Sequence, residues 1–298
     1  MQIKPFLKWV GGKTKLLNEI DQRLPDFVKK NTFIYVEPFL GGGAMFFYLA
    51  TKYNIKKAYL NDLNDKLINC YLDIKYRSIK VIELLKVIEK DYFSIDDKES
   101  FYYDKRQEFN SIKISEKKSA LLIFLNKTGF NGMYRENSKG EYNIPFGKMK
   151  VNIICNEKLI KIISNIIREV EFSSKSFEDV LIDKKNVFYY LDPPYMPISK
   201  TSSFTDYTSK SKNKDQVLLQ DKICEYCNKI DELGSMFLQS NSYLPKFFEE
   251  KYESRFFFDK LKVSRTIGAD GSKRKSVYEL LIFNYKKNNN FNQSKINF

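Results

Sequence analysis

Residues Phe33 to Val36 form a short β-branched and aromatic run that stops at Glu37-Pro38-Phe39-Leu40-Gly41-Gly42-Gly43, the pattern of a strand ending in a glycine turn. Ala44 to Lys52 then carries apolar residues at helical spacing, and Lys57 to Leu60 is a second short strand that ends at Asn61-Asp62. Strand, turn, helix, strand makes a βαβ start. Upstream, Lys15 to Phe27 reads as one helix closed by Pro25. Downstream, from Leu67 to Leu125, the period is mostly helical, as in VIELLKVIEK and SALLIFL.

Between Met133 and Phe146 two β-like arms surround Ser138-Lys139-Gly140, a hairpin with glycine at its turn. Val187 to Leu191 has the continuous apolar character of a buried strand and ends in Asp192-Pro193-Pro194-Tyr195. Pro197 to Asp215, rich in Ser, Thr and Lys, reads as a surface loop. A helix ending near Gly234 precedes the strand Met236 to Asn241, and two last strands flank Gly268 to Lys275, the second running from Val277 to Tyr285. The tail from Lys286 is polar. The pattern as a whole predicts a mixed α/β fold without internal repeats.

Composition narrows the function. With 298 residues and 43% apolar content, the chain buries a sizeable core. No stretch approaches the ~20 apolar residues of a membrane span, and the start lacks the build of a signal peptide, so a soluble cytoplasmic protein is expected. Lys and Arg outnumber Asp and Glu by 51 to 37, a net charge of +14 that favours a polyanion such as nucleic acid. A lysine-rich proteome gives the same excess, so charge alone does not decide.

Histidine is absent, which removes every His-based mechanism and His-ligated zinc. Cys224 and Cys227 have C-x-x-C spacing but sit in a helix-like run, with no second pair to complete a metal site. Gly12-Lys13-Thr14 matches the end of a phosphate-binding loop, yet Leu7 stands where its first glycine belongs and only a short stretch precedes it, so a nucleotide hydrolase is disfavoured.

The chemistry concentrates at predicted strand ends: Gly41 to Gly43, Asp62, and Asp192 to Tyr195. That edge is where open α/β sheets bind ligands. Glycines admit a ligand to the backbone, and an acid about 20 residues on suits ribose hydroxyls. Two consecutive prolines fix the backbone between an acid and an aromatic ring. Such a turn suits a nucleobase amine flipped from its duplex, although a rigid turn after a strand has the same sequence.

In order, the segments FLKWVGGK, EPFLGGG, NKTGFNGMYRENSKGEYNIPFGK, DPPY and RTIGADGSKRKSVYELL resemble the Dam-like DNA adenine-N6 methyltransferases, in the alpha class and the GATC-directed branch found beside restriction enzymes. The likeness spans Pro5 to Tyr285. It implies a Rossmann-like S-adenosylmethionine-dependent methyltransferase sheet at 1–66 and 165–286, an inserted helical and β-hairpin target-recognition domain at 67–164, and a polar tail at 287–298. By this resemblance Trp9, Lys13, Glu37, Pro38, Phe39, Gly41, Gly43, Asp62, Phe177 and Asp192 hold S-adenosylmethionine. Asp192, Pro193, Pro194 and Tyr195 are implied as the catalytic segment. The resemblance further implies that Lys8, Phe130, Asn131, Arg135 and Lys148 meet the DNA, Arg135 being apt for guanine, and Lys273, Arg274 and Lys275 fit phosphate contacts.

The expected partners are double-stranded DNA and a cognate restriction endonuclease, with the chain acting as a monomer and without metal or membrane. Alternatives are a cytosine-N4 enzyme, disfavoured by Asp192 where that class has Ser, a non-catalytic DNA-binding protein of the same fold, and an RNA substrate.

Overall fold

The structure is a computed structural model that describes residues 3–9, 11–148, 151–197, 211–252, 255–263 and 277–286. In chain order its elements are α1 (Leu17–Gln22), α2 (Asp26–Lys30), β1 (Phe33–Glu37), α3 (Ala44–Lys52), β2 (Ile55–Asn61), α4 (Asp65–Ser94), α5 (Lys98–Ser111), α6 (Glu116–Thr128), α7 (Glu157–Ile166), β3 (Glu171–Ser173), β4 (Val187–Leu191), α8 (Ser211–Glu232), β5 (Met236–Ser242), α9 (Pro245–Tyr252), β6 (Phe257–Val263) and β7 (Val277–Phe283). Seven strands form one sheet in the order β3-β2-β1-β4-β5-β7-β6. The mixed α/β architecture is thus the one the sequence predicts.

The chain packs as two compact units. One comprises Met1–Thr14, Leu40–Thr51 and Leu60–Lys175, the other Lys15–Phe39, Lys52–Tyr59 and Ser176–Phe298.

In the second unit β1 pairs with β4 and β4 with β5 in parallel, while β7 is antiparallel to both β5 and β6. All five residues of β4 are buried, as a central parallel strand covered on both faces requires. On one face Val36, Tyr189, Leu191, Phe237 and Ile282 pack with Ile223, Tyr226 and Ile230 of α8 and with Phe248 and Tyr252 of α9. On the other, Phe27 of α2 meets Phe33 and Phe188 edge-on at 6.1 and 6.5 Å.

β1 and β2 also run parallel. Their starts are joined by the Phe33 N–H to the Asn54 carbonyl at 3.1 Å, and beyond their ends the Leu40 N–H bonds the Asn61 carbonyl at 2.8 Å. The βαβ start therefore stands.

In the first unit α4 kinks at Arg77, where φ is −137°, and α6 is buried along Ala120–Leu125. N-caps are supplied by Asn64, Asp97 and Ser115, whose side chains accept from Leu67, Ser100 and Lys118 N–H groups.

Two expectations need correction. Pro25 does not close a helix spanning Lys15 to Phe27; α1 stops at Gln22, and Pro25, with φ −65°, stands immediately before α2. Its fixed φ and missing N–H suit a helix start. Ser211 to Asp215 belong to α8 rather than to the surface loop, whose stretch 198–210 lies outside the described residues.

The hairpin between Met133 and Phe146 stands: its arms are joined by the Asn143 N–H to the Arg135 carbonyl at 3.0 Å and the Asn137 N–H to the Glu141 carbonyl at 2.9 Å around the antiparallel bridge Glu136↔Tyr142, and Gly140 turns at φ +74°. Side chains of α5 also hold its returning arm. Asn110 exchanges two bonds with the Tyr142 backbone, while Tyr102 and Arg106 donate to the Ile144 carbonyl at 2.9 and 3.1 Å. Those helix side chains satisfy backbone groups of Tyr142 and Ile144 that the short pairing leaves over.

Candidate functional site

The segment ahead of Lys13 holds no strand among its described residues, and the Gly12 N–H folds back onto the Trp9 carbonyl at 3.1 Å. A phosphate loop springs from a strand, so this turn is not one. Lys13 is buried, and its ammonium donates to the Gly11 carbonyl at 2.8 Å.

The same unit carries the glycine turn after β1. Gly41 has φ +49°, and a Cβ there would lie 2.7 Å from the Trp9 ring, so only glycine fits under the indole. Gly43, at φ +69°, is closed in by Tyr71, Phe47 and Leu40.

Asp62 follows β2, and its Oδ2 accepts the Gly41 N–H at 2.8 Å while Oδ1 accepts the Asn64 N–H at 3.0 Å. Burial pushes its carboxyl above the usual aspartate range, and those two N–H groups pull against the rise. Each oxygen retains a lone pair for a further donor. The turn is braced again by Asn61, which donates to the Lys175 carbonyl at 3.0 Å and accepts from Ser173 Oγ at 2.8 Å.

Lys8 and the turn that carries Phe130 and Asn131 are tied to one buried side chain, Asn126. Its amide accepts the Lys8 N–H and donates to the Lys8 carbonyl, both at 2.8 Å, and donates to the Gly132 carbonyl at 2.9 Å. The 3₁₀ turn Phe130–Gly132 is thereby tied to Lys8. Asn131 takes the left-handed conformation at φ 55°, which asparagine tolerates. Phe130 leaves its ring 49% exposed, unusual for so large an apolar group and apt for stacking.

Burial and the neighbouring Lys8 charge both push the Lys127 ammonium below its ordinary pKa. Two cations held close favour an anionic partner. Arg135 donates its Nε to Asn143 Oδ1 at 2.8 Å and has no acidic partner among the described residues, so the Nη pair stays available as a fork. Tyr134 stacks on Trp9 with centroids 5.3 Å apart and donates to Glu136, which also pairs with Lys66 at 2.8 Å. Lys148 is exposed just after Gly147, whose N–H bonds the Thr128 carbonyl at 2.8 Å. Lys273, Arg274 and Lys275 lie outside the described residues.

The second unit holds the ends of β1 and β4. The parallel register Val36↔Tyr189 brings Glu37 and the segment Asp192–Tyr195 to the same edge. Glu37 is buried and accepts the Tyr35 hydroxyl at 2.9 Å. Beyond Pro38, the Phe39 ring packs against Phe177 at 5.1 Å, and Phe177 meets Tyr226 edge-on at 5.3 Å.

Ser240 donates to Asp192 Oδ1 at 3.3 Å and pairs with the Tyr190 hydroxyl at 3.1 Å. Tyr195 gives its hydroxyl to Glu279 Oε2 at 2.8 Å, which fixes the ring direction. Burial, then the Asp192 and Glu279 charges, raise the Tyr195 phenol well above its ordinary pKa, so it stays a neutral donor. The Pro193 carbonyl has no donor among the described residues. An acid, an open carbonyl and a fixed aromatic ring stand together in four consecutive residues.

A family model described as D12 class N6 adenine-specific DNA methyltransferase matches residues 9–267. The chain belongs to that family. The Type II methyltransferase M.MjaIII of Methanocaldococcus jannaschii is 42% identical over 294 residues, covering 96% of this chain and 100% of that protein. The Type II methyltransferase M1.LlaDCHI of Lactococcus lactis is 36% identical over 96% of both chains, and the DNA adenine methylase of Haemophilus influenzae 34% identical over 95% of both.

The protein is therefore an N6-adenine DNA methyltransferase whose substrate is DNA. No helix among its described residues is long and apolar enough to cross a membrane, and no group of three His, Cys, Asp or Glu there is arranged to hold a metal ion. In this methyltransferase the C-x-x-C pair is core: Cys224 and Cys227 are buried on α8, and burial drives the Cys227 thiol well above its usual pKa.

Asn126, Ser240, Glu279, Gln220 and Asn241 bond the residues of these segments and are not singled out by the sequence pattern. Asn126 and Glu279 lie inside the segments that carry the family resemblance, and the place of Asn126 just before the turn is a signal for it. Nothing in the sequence marks Gln220.

Proposed function

We propose that the chain transfers the methyl group of S-adenosylmethionine to N6 of a flipped adenine within GATC of double-stranded DNA, in the cytoplasm. The observation that carries this reading is the Asp192–Tyr195 segment, with its Ser240-oriented carboxylate, open Pro193 carbonyl and anchored Tyr195 ring. The amine of adenine has two hydrogens, and Asp192 Oδ together with the Pro193 carbonyl accept both. Its nitrogen lone pair would then face bound S-adenosylmethionine, and as the N–C bond forms and the donor's S–C bond breaks, Asp192 Oδ would be placed to take the proton that the amine gives up. Tyr195 stacks on the base and compensates the lost duplex stacking. Holding the amine in this orientation supplies most of the acceleration.

The residues present fit the cofactor. Asp62 offers a buried carboxylate with lone pairs to spare for ribose hydroxyls, beside a side-chain-free Gly41 turn covered by Trp9. When bound, S-adenosylmethionine supplies an electrophilic methyl on a sulfonium. Phe39 and Phe177 give apolar faces for its adenine, and Lys13, Glu37, Pro38 and Gly43 complete the binding residues.

Residues 67–164 act as the target-recognition domain. There Asn131 and Arg135, with Lys8 from outside it, reach base edges, Phe130 fills the vacated stack, and Lys148 with Lys273, Arg274 and Lys275 meets phosphates. The test is transfer of a labelled methyl from S-adenosylmethionine to a GATC duplex, to a duplex with one base changed, and to GATC duplexes carrying N6-methyladenine on both strands. Label in the first alone supports the reading; equal label in all three overturns it. The Asp192→Ala variant is expected to bind DNA and transfer nothing.

A further inference from the structure

Pro193 and Pro194 lack backbone N–H groups, and neither they nor Met196 makes a backbone-to-backbone hydrogen bond among the described residues. The turn after β4 is held by a buried pair of amides instead. Gln220 of α8 is 2% exposed and Asn241 of β5 is fully buried. Asn241 Oδ1 accepts the Met196 N–H at 3.1 Å and the Ser242 N–H at 2.8 Å. Both are backbone groups that can only donate, so the amide orientation is fixed. Asn241 Nδ2 must then face away, and it donates to Gln220 Oε1 at 3.0 Å. Gln220 in turn presents its Nε2 to the Pro194 carbonyl at 3.1 Å. The pair therefore runs one way, from the β5 backbone through two side chains to the carbonyl one peptide beyond Pro193.

We infer that Gln220 and Asn241 are positioning residues that set the direction of the Pro193 carbonyl and the Tyr195 ring for methyl transfer. By clamping Pro194 and Met196 on either side of Tyr195, they fix the peptide planes that flank the reacting amine. They touch neither adenine nor cofactor. This inference rests on the reading of Asp192–Tyr195 as the catalytic segment.

Two near-isosteric variants test it. Gln220→Met removes the donor to Pro194. Asn241→Asp keeps both acceptor bonds but presents an oxygen to Gln220 Oε1, so the Gln220 amide turns over and its Nε2 leaves Pro194. The measurement is the single-turnover rate of methyl transfer to a duplex substrate, beside separate titrations of cofactor and DNA.

The expected result for both variants is a rate loss of about 10–100-fold, since small misplacements of reacting groups cost rate steeply, with little change in either affinity. The double variant is expected to lose little more than either single one, because the two amides act as one relay. Single-turnover rates within twofold of the parent in folded variants would overturn the inference, as would rate losses matched by equal losses of cofactor affinity. Should Gln220→Met fail to fold, Asn241→Asp alone decides. Retained activity in Asp192→Ala, by contrast, overturns the catalytic reading itself, whatever the relay variants do.

Discussion

Asp62 carries the Gly41 turn on its carboxylate, accepting the Gly41 N–H at 2.8 Å across 21 residues of sequence. The oxygen not engaged with Gly41 takes the Asn64 N–H at 3.0 Å, so both oxygens face backbone donors. In Asp62→Asn one of those donors meets an NH2 group. The expected cost is about 1–3 kcal/mol of stability, the penalty for a buried donor left unpaired. Urea unfolding measures it, and unchanged stability together with unchanged S-adenosylmethionine affinity would remove Asp62 from both roles.

The raised pKa of Asp62 gives a pH dependence with two opposite signs. Burial, its largest cause, favours the protonated folded state. This group's contribution to stability is therefore greatest below the unfolded aspartate pKa and is lost as pH rises through the folded one. On the proposed role of Asp62 in holding the cofactor, cofactor affinity is expected to run the other way, because protonation removes an acceptor for ribose hydroxyls. Affinity is expected to fall on acidification, starting at a higher pH than an ordinary aspartate gives, and Asp62→Ala should erase that limb. An identical acid limb in the variant would assign it elsewhere.

Tyr195 combines a stacking face with a hydroxyl held by Glu279 at 2.8 Å. Tyr195→Phe keeps the face and is expected to retain most of the rate. Tyr195→Ala removes it and should cost about 1–3 kcal/mol of flipped-base stabilisation, the usual worth of one aromatic–base stack. Fluorescence of 2-aminopurine at the target position measures flipping directly. Equal effects of the two substitutions would mean that the hydroxyl, not the ring, matters.

Arg135 presents two Nη groups because Asn143 occupies only its Nε, at 2.8 Å. Arg135→Ala is expected to relax discrimination at one base pair by about 1–3 kcal/mol, and Arg135→Lys by nearly as much, since an ammonium cannot pair bidentately. Competition between duplexes differing at single positions reads this out. A uniform loss across all sequences would assign Arg135 to phosphate.

Much of this is legible in the chain. The run Phe33 to Val36 and the helix Ala44–Lys52 declare themselves through period and glycine stops, and Val187–Leu191 through an unbroken apolar stretch. The sequence pattern starts β2 at Lys57, whereas the strand begins at Ile55, because adjacent lysines at an exposed strand start mimic a loop. The hairpin before Phe146 reads as a ladder because its residues favour strands. Its arms pair only briefly, and the rest of its returning backbone is bonded by Asn110, Tyr102 and Arg106, more than 30 residues upstream. For the same reason Asn126, Gln220 and Asn241 stay hidden: a buried amide is recognised by what it bonds, and its partners are distant in sequence.

The most direct test is base-resolved mapping of methylation in plasmid DNA from a methylation-deficient host that expresses this chain, beside the same host expressing Asp192→Ala. N6-methyladenine confined to GATC with the parent chain, and none with the variant, is the predicted result. Unmodified plasmid despite soluble protein that binds DNA and S-adenosylmethionine, or full methylation with Asp192→Ala, would contradict the account.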